Sequence, residues 1–155
     1  QRALLAQEKV PYNLDAWDGY PAARDAVLAM ARTQGKNLIS LAGDTHNAWA
    51  GNLTDLSGQR VGVEFATSSV SSPGFERALP LIANDLLSDG FRRMVDDLRY
   101  AETSKRGYAV LTLTTAEARC EYIEISTVFS RDYTTRAAAV LRALPGATNL
   151  QVLVA

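Results

Sequence analysis

Apolar and polar residues alternate along several short stretches of the chain, a pattern typical of β-strands that bury one face. Leu38–Ala42 does not alternate: four of its five residues are apolar, which predicts a buried strand. The predicted strands are 38–42, 47–53, 59–65, 107–114, 118–126 and 150–154. The polar segments Thr54–Gly58 and Thr115–Glu117 join two pairs of these strands. Both pairs are therefore predicted to form hairpins.

Helical spacing of apolar residues occurs in three other parts of the chain. One helix is predicted over 21–35, two between 80 and 100 with a break near Ser88–Gly90, and one over Thr134–Leu144. Gln1–Asn13 is predicted to be a loop or a short helix. The apolar face predicted for the first helix consists of Ala23, Val27, Met30 and Ala31. Strands and helices together indicate an α/β fold, with hairpins in a mixed sheet and flanking helices.

Length and composition narrow the class of protein. The chain has 155 residues, of which 47% are hydrophobic and 21% charged, so it can bury a core of one domain or a large sub-domain. A net charge of −1 gives no basic face, so we expect no nucleic-acid binding. One cysteine excludes an internal disulfide framework, and no apolar run approaches the ~20 residues of a membrane span.

The most informative motif is Gly43-Asp44-Thr45-His46, which follows the first predicted strand and holds the only histidine of the chain. Loops beyond the carboxyl ends of strands are where open α/β sheets bind ligands. A carboxylate and an imidazole in one such turn predict part of a metal site. The competing interpretation is a structural histidine that is hydrogen-bonded at a strand end.

Two side chains are too few to close a catalytic metal site. Cys120 lies in an alternating strand and is predicted to be a buried core thiol rather than a third ligand. The remaining ligands must then lie outside these residues. Because the chain also begins at Gln1 without an initiator methionine, we expect residues 1–155 to be the C-terminal portion of a longer protein.

Three blocks, with a fourth that also fits, occur in the order and spacing of a known family. They are Asp15–Arg24, Leu41–Trp49, Val61–Gly74 and Arg106–Thr114. On these blocks the chain resembles the C-terminal portion of the PhoD-like alkaline phosphatases and phosphodiesterases. The resemblance implies part of a layered α/β sandwich of the metallophosphoesterase type. Many of those enzymes carry a late Gly-His-x-His metal motif, and Asp44 stands where its first histidine would be.

The resemblance also implies a chemistry. It makes Asp44 and His46 the catalytic, metal-site residues of a phosphoric ester hydrolase that acts on a small phosphate ester. It implies iron with calcium, with other divalent metals also compatible. Carboxylate oxygen suits Ca²⁺ and imidazole suits a transition metal. The resemblance also implies export to the periplasm or the cell exterior, and any export signal is expected to lie on an N-terminal part outside this chain.

Further candidate residues lie near the first helix and in one loop. Trp17 and Tyr20 could line a substrate cleft, with Arg24 as a phosphate clamp; the alternative is a capped helix start with aromatic packing. Glu64 is predicted to be exposed rather than turned toward the metal site. Ser68–Gly74 is a hydroxyl-rich loop that either reaches a phosphoryl oxygen or forms a plain turn.

The sequence thus supports three hypotheses. The first is metal-dependent hydrolysis of phosphate monoesters, with this chain supplying part of the site. The second is a phosphodiesterase or phospholipase D of the same family. The third is a non-catalytic interaction module in which His46 is structural. In each case a chain without its N-terminal half is expected to expose a sheet edge and to self-associate.

The isolated 155-residue chain is predicted not to hydrolyse phosphate esters, because it supplies too few ligands for a closed metal site. The measurement is turnover of a chromogenic phosphate ester by the purified chain with added calcium and iron. Turnover above a metal-free control would contradict the prediction.

Overall fold

Two four-stranded sheets pack face to face in the computed structural model, which describes residues 14–146 and 149–154. The strands are β1 Leu38–Ala42, β2 Ala48–Thr54, β3 Arg60–Ala66, β4 Leu98–Glu102, β5 Gly107–Leu113, β6 Ala118–Ile125, β7 Thr135–Ala143 and β8 Gln151–Val154. The helices are α1 Pro21–Thr33, α2 Phe75–Ala78 and α3 Asn84–Met94, with a 3₁₀ turn at Trp17–Gly19. The prediction for Gln1–Asn13 lies outside the described residues.

The first sheet has the strand order β1-β3-β2-β4 and carries the candidate metal turn. β1 pairs with β3 in parallel, while β2 pairs antiparallel with both β3 and β4. The predicted hairpin of β2 and β3 is confirmed, and so are the bounds of β1. The expectation that β1 is buried is wrong. It lies at the edge of the sheet among the described strands, and Leu41 is 66% exposed.

The second sheet is antiparallel throughout, in the order β5-β6-β7-β8. The predicted hairpin of β5 and β6 and the last short strand are confirmed. The helix predicted over Thr134–Leu144 is wrong, because this segment forms strand β7. Its alanines favour a helix locally, but Ala139, Leu141 and Ala143 alternate toward the core, and β7 pairs on both sides. Pairing and burial therefore outweigh intrinsic helix propensity.

The core lies between the two sheets. Val63 and Phe65 of the first sheet pack in one buried cluster with Cys120 and Leu141 of the second. Cys120 is fully buried, as predicted, and burial raises the pKa of its thiol to about 11. The hydroxyl group of Tyr122 donates to the carbonyl oxygen of Trp49 at 2.8 Å, which ties β6 to β2 across the sandwich.

α1 packs against the first sheet, with its closest contacts to β3. The helix ends as predicted, with Gly35 in the left-handed region at φ 62°. The predicted apolar face is wrong, because Met30 is 60% exposed, Val27 is also exposed, and Leu28 is the buried residue.

α3 is one continuous helix that packs against β4, so the two helices predicted between 80 and 100 are wrong. Ser88, expected at a break, is buried and shares a hydrogen bond with Thr103 at 3.1 Å. The helix runs through Gly90, whose missing Cβ would meet nothing within 4 Å. Within residues 14–146 and 149–154, no helix combines the length and apolar character needed to cross a membrane.

Leu141→Ala is expected to lower the free energy of unfolding by about 2–5 kcal/mol, because Leu141 is fully buried between the sheets. Leu56→Ala is the matched control, since Leu56 is 75% exposed in the hairpin turn. The control should change stability by no more than about 0.5 kcal/mol. Guanidinium unfolding measures both, and equal losses would contradict this account of the core.

Candidate metal centre

The turn between β1 and β2 carries both predicted metal ligands in an uncommon backbone conformation. Asp44 has φ 66° and His46 has φ 62°, and they are the only non-glycine residues with positive φ in the described part of the chain. L-residues are disfavoured in this region by about 1–2 kcal/mol each. Such outliers persist only where surrounding contacts impose them, and they cluster at functional sites.

Hydrogen bonds inside the turn hold this conformation. The Thr45 N–H donates to the Gly43 carbonyl oxygen at 2.7 Å, closing a three-residue turn centred on Asp44. The indole N–H of Trp49 donates to the Thr45 hydroxyl oxygen at 2.8 Å. Trp49 is itself fixed by ring contacts with Phe75 and Phe91, with ring centroids 6.2 and 5.3 Å away. The strained turn therefore rests on an aromatic cluster.

Asn47 links the turn to the loop that follows β3. Its side-chain amide donates to the Thr45 carbonyl oxygen at 2.5 Å, and its Oδ1 accepts from the Phe75 N–H at 3.0 Å. Asn47 is 1% exposed. A Cβ on Gly74 would lie 2.3 Å from Asn47 Oδ1, so a side chain there would collide with the amide. The sequence places Asn47 only as the first residue of a predicted strand, so its role in joining the two loops could not be recognised from the sequence.

His46 is oriented by a main-chain carbonyl. Its Nδ1 lies 3.0 Å from the carbonyl oxygen of Pro73. A carbonyl can only accept, so we assign the N–H of the ring to Nδ1, which leaves Nε2 with a lone pair. Metal-binding histidines commonly donate their second ring nitrogen in this way. The same bond is also what a structural histidine would make, so it does not separate the two hypotheses.

The carboxylate and the imidazole of the turn are suitable metal ligands, but two ligands are too few to hold an ion. Asp44 and His46 are both exposed, and Asp44 makes no ion pair within the described ranges. Thr67 lies next to the turn, because its N–H donates to the carbonyl oxygen of Ala42. The Thr67 hydroxyl oxygen is buried and has no hydrogen-bond partner among the described residues. No group of three or more His, Cys, Asp or Glu side chains that could hold a metal ion occurs among residues 14–146 and 149–154.

The loop from Thr67 to Gly74 lies against the turn and is held by one ion pair. Glu76 accepts from the N–H of Gly74 at 3.0 Å and pairs with Arg106, which is 8% exposed. Burial tends to raise the pKa of Glu76, but the hydrogen bonds from Arg106 and Gly74 outweigh it and hold that pKa below its ordinary value. Glu76 therefore stays ionised near neutral pH and keeps this loop attached to β5.

The structure places the predicted substrate-binding residues away from the turn. Arg24 donates to the carbonyl oxygen of Thr54 at 3.1 Å, at the end of β2 that is remote from His46. At ~3.3 Å per residue, that end lies roughly 20 Å from the start of β2. Trp17 and Arg24 line a cavity on the helix side of the first sheet, and Tyr20 is 58% exposed. Their role in binding substrate stays a prediction.

Glu64 lies in that same cavity and is half-buried, with the Ser40 hydroxyl donating to its carboxylate at 2.9 Å. The prediction that Glu64 is exposed is therefore wrong. Its carboxylate is bound by Ser40 and is not part of the turn.

Substitution of Asp44 tests whether the turn is strained. Asp44→Gly is expected to be about 1 kcal/mol more stable than Asp44→Ala, since only glycine adopts φ 66° without steric cost. At Asp89, inside α3, the order should reverse, with Asp89→Gly about 1 kcal/mol less stable than Asp89→Ala. Unfolding of the four variants in guanidinium gives both differences. The same order at both positions would contradict the strain.

Comparison with known proteins agrees with this architecture. Alkaline phosphatase D of Bacillus subtilis (strain 168) is 38% identical over 68 residues, which are 41% of this chain and 12% of that protein. A solved structure of PhoD is 24% identical, with a TM-score of 0.74 over 92% of this chain and 27% of that one. The chain therefore spans a small part of the length of each.

The solved structure confirms the predicted fold class, part of a layered α/β sandwich of the metallophosphoesterase type. A sequence model of the PhoD-like phosphatases matches residues 2–122, well over half of the chain. The chain belongs to the PhoD-like phosphatase family.

Proposed function

We propose that the full-length protein hydrolyses phosphate esters with the help of bound metal, and that this chain contributes Asp44 and His46 to the metal site. The observation that carries the proposal is the turn itself. Asp44 and His46, two non-glycine residues with positive φ on either side of Thr45, present a carboxylate that pairs with no cation among the described residues and an imidazole whose Nε2 keeps its lone pair. Membership of the PhoD-like phosphatase family supports the reaction class.

The donor set is compatible with the metals that the family resemblance implies. The Asp44 carboxylate suits a hard ion such as Ca²⁺, and the His46 imidazole suits iron or another transition metal. The ion would supply positive charge that attracts the phosphoryl oxygens and lowers the pKa of the attacking water. Further ligands would come from residues outside 14–146 and 149–154.

The chain's own residues do the positioning. The Pro73 carbonyl fixes which nitrogen of His46 faces outward, and the buried amide of Asn47 keeps the turn and the Pro73 loop at a fixed separation. A ligand shell that is held before the substrate arrives needs no rearrangement during the reaction. This explains why a strained, well-buttressed turn suits a catalytic site better than a relaxed one.

Monoester and diester hydrolysis remain two forms of the proposal. The relative from Bacillus subtilis bears the name alkaline phosphatase, which favours monoesters.

Export to the periplasm or the cell exterior also belongs to the proposal, and fractionation of cells that express the full-length protein tests it.

The central experiment compares His46→Ala and Asp44→Asn with the unchanged full-length protein. Each variant is expected to lose at least about a hundredfold in turnover of p-nitrophenyl phosphate and to retain less bound metal, measured by mass spectrometry. Asp132→Asn is the matched control, because Asp132 is an exposed carboxylate in the loop between β6 and β7. It should keep both activity and metal.

Parallel assays with bis(p-nitrophenyl) phosphate decide between monoester and diester. A folded His46→Ala variant that retains full metal content and turnover would refute the proposed role of His46. Absence of turnover in the unchanged protein with calcium and iron would favour the non-catalytic module.

A further inference from the structure

A cavity of about 720 Å³ opens beside the metal turn, between the loop that follows β3 and the end of β6. We call it the cationic cavity, because Arg77, Lys105 and Arg106 all line it. Glu76 is the one carboxylate in its wall. Positive charges gathered in a concave surface raise the local concentration of anions.

The three cations of the cationic cavity are not equivalent. Arg106 is buried, and its charge is neutralised by the ion pair with Glu76. Arg77 and Lys105 are exposed, and neither has a carboxylate within ion-pair distance anywhere in the described ranges. The cavity therefore carries two positive charges that form no ion pair with any described residue.

The cationic cavity adjoins the candidate metal centre through a single residue. Pro73 lines the cavity, and its carbonyl oxygen is the partner of His46 Nδ1. Neither Asp44 nor His46 lines the cavity, so Pro73 is the boundary that the turn and the cavity share. The part of a substrate beyond the reacting phosphate would reach the cavity by passing Pro73.

The other walls of the cationic cavity suit a phosphorylated alcohol. The phenyl ring of Phe129 is 96% exposed and offers an apolar surface to the carbon part of a ligand. Hydroxyl groups that can donate to phosphate oxygens come from Ser71, Ser126 and Thr127, whereas the Ser104 hydroxyl already donates to the Glu102 carboxylate at 2.7 Å. Apolar walls with a few polar and charged groups are typical of small-molecule sites.

We propose that the cationic cavity binds the alcohol part of a phosphate ester that carries a second phosphate group, and that Arg77 and Lys105 are the specificity-determining residues. This inference rests on the proposed function, because it takes the reacting phosphate to lie at Asp44 and His46. It predicts a preference for bisphosphorylated over monophosphorylated alcohols.

The test uses the full-length protein with two substrates that differ by one phosphate, adenosine 5′-monophosphate and adenosine 3′,5′-bisphosphate. Arg77→Gln and Lys105→Gln are each expected to raise KM for the bisphosphate roughly three- to tenfold. KM for the monophosphate should stay within about twofold, and kcat for both should be unchanged. Equal rises for both substrates, or none for the bisphosphate, would overturn the inference.

Two control variants match the substitutions in charge. Arg93→Gln removes an exposed arginine from the last turn of α3, and Lys36→Gln removes a lysine that lines a different cavity, at the opposite end of β6. Neither should change KM for either substrate. If both controls shift KM as much as the cavity variants, the effect is one of overall charge and the inference fails.

Calorimetric titration separates failure of this inference from failure of the proposed function. Adenosine 3′,5′-bisphosphate is titrated into the unchanged protein and the two cavity variants, whether or not phosphate is released. Tighter binding than the monophosphate, lost in both variants, supports the cavity even if no hydrolysis occurs. Equal binding of the two nucleotides would overturn the inference even if hydrolysis is confirmed.

Discussion

The side-chain amide of Asn47 is the interaction on which the candidate site depends. It spans two loops that are far apart in sequence, because it donates to Thr45 in one and accepts from Phe75 at the end of the other. Asn47 is 1% exposed, so losing either partner would leave one of its buried polar atoms unsatisfied. The turn that holds Asp44 and His46 and the loop that presents the Pro73 carbonyl are therefore positioned by one side chain.

Strain and support are balanced around this amide. The positive φ angles of two residues raise the free energy of the folded state. Burial of the core that both sheets share offsets this cost. The aromatic cluster of Trp49, Phe75 of α2 and Phe91 of α3 supports the turn. The Glu76–Arg106 ion pair anchors the neighbouring loop to the second sheet. A turn built this way keeps its shape although the backbone preferences of Asp44 and His46 oppose it.

Local patterns explain which parts of the fold were predictable. The hairpins β2–β3 and β5–β6 follow from alternation and turn residues, which act within about ten residues of each other. The sequence predicts a helix where β7 lies, and its alanines also favour a helix locally; pairing with β6 and β8 reverses that preference. The continuous helix α3 was missed because burial of Ser88 depends on Thr103, fifteen residues later.

The candidate site also has a part that local sequence predicts and a part that depends on distant contacts. Asp44 and His46 form a short contiguous motif that the sequence alone identifies as candidate ligands, whereas Asn47, Pro73 and Arg106 act through contacts across 27 or more residues. Arg24 was placed near the site by proximity in sequence to an aromatic pair, but α1 directs it toward Thr54 instead. Distant contacts of this kind depend on the packing of helix and sheet, which no single stretch of sequence specifies.

The partner of His46 is a main-chain carbonyl, and this has an evolutionary consequence. Side chains in the loop from Ser68 to Ser72 can change without removing the atom that orients the imidazole. The same loop contributes Ser71 to the cationic cavity. Substitutions in this loop can thus alter the wall of the cationic cavity while the hydrogen bond to His46 is kept, so the cavity and the orientation of the imidazole can evolve independently.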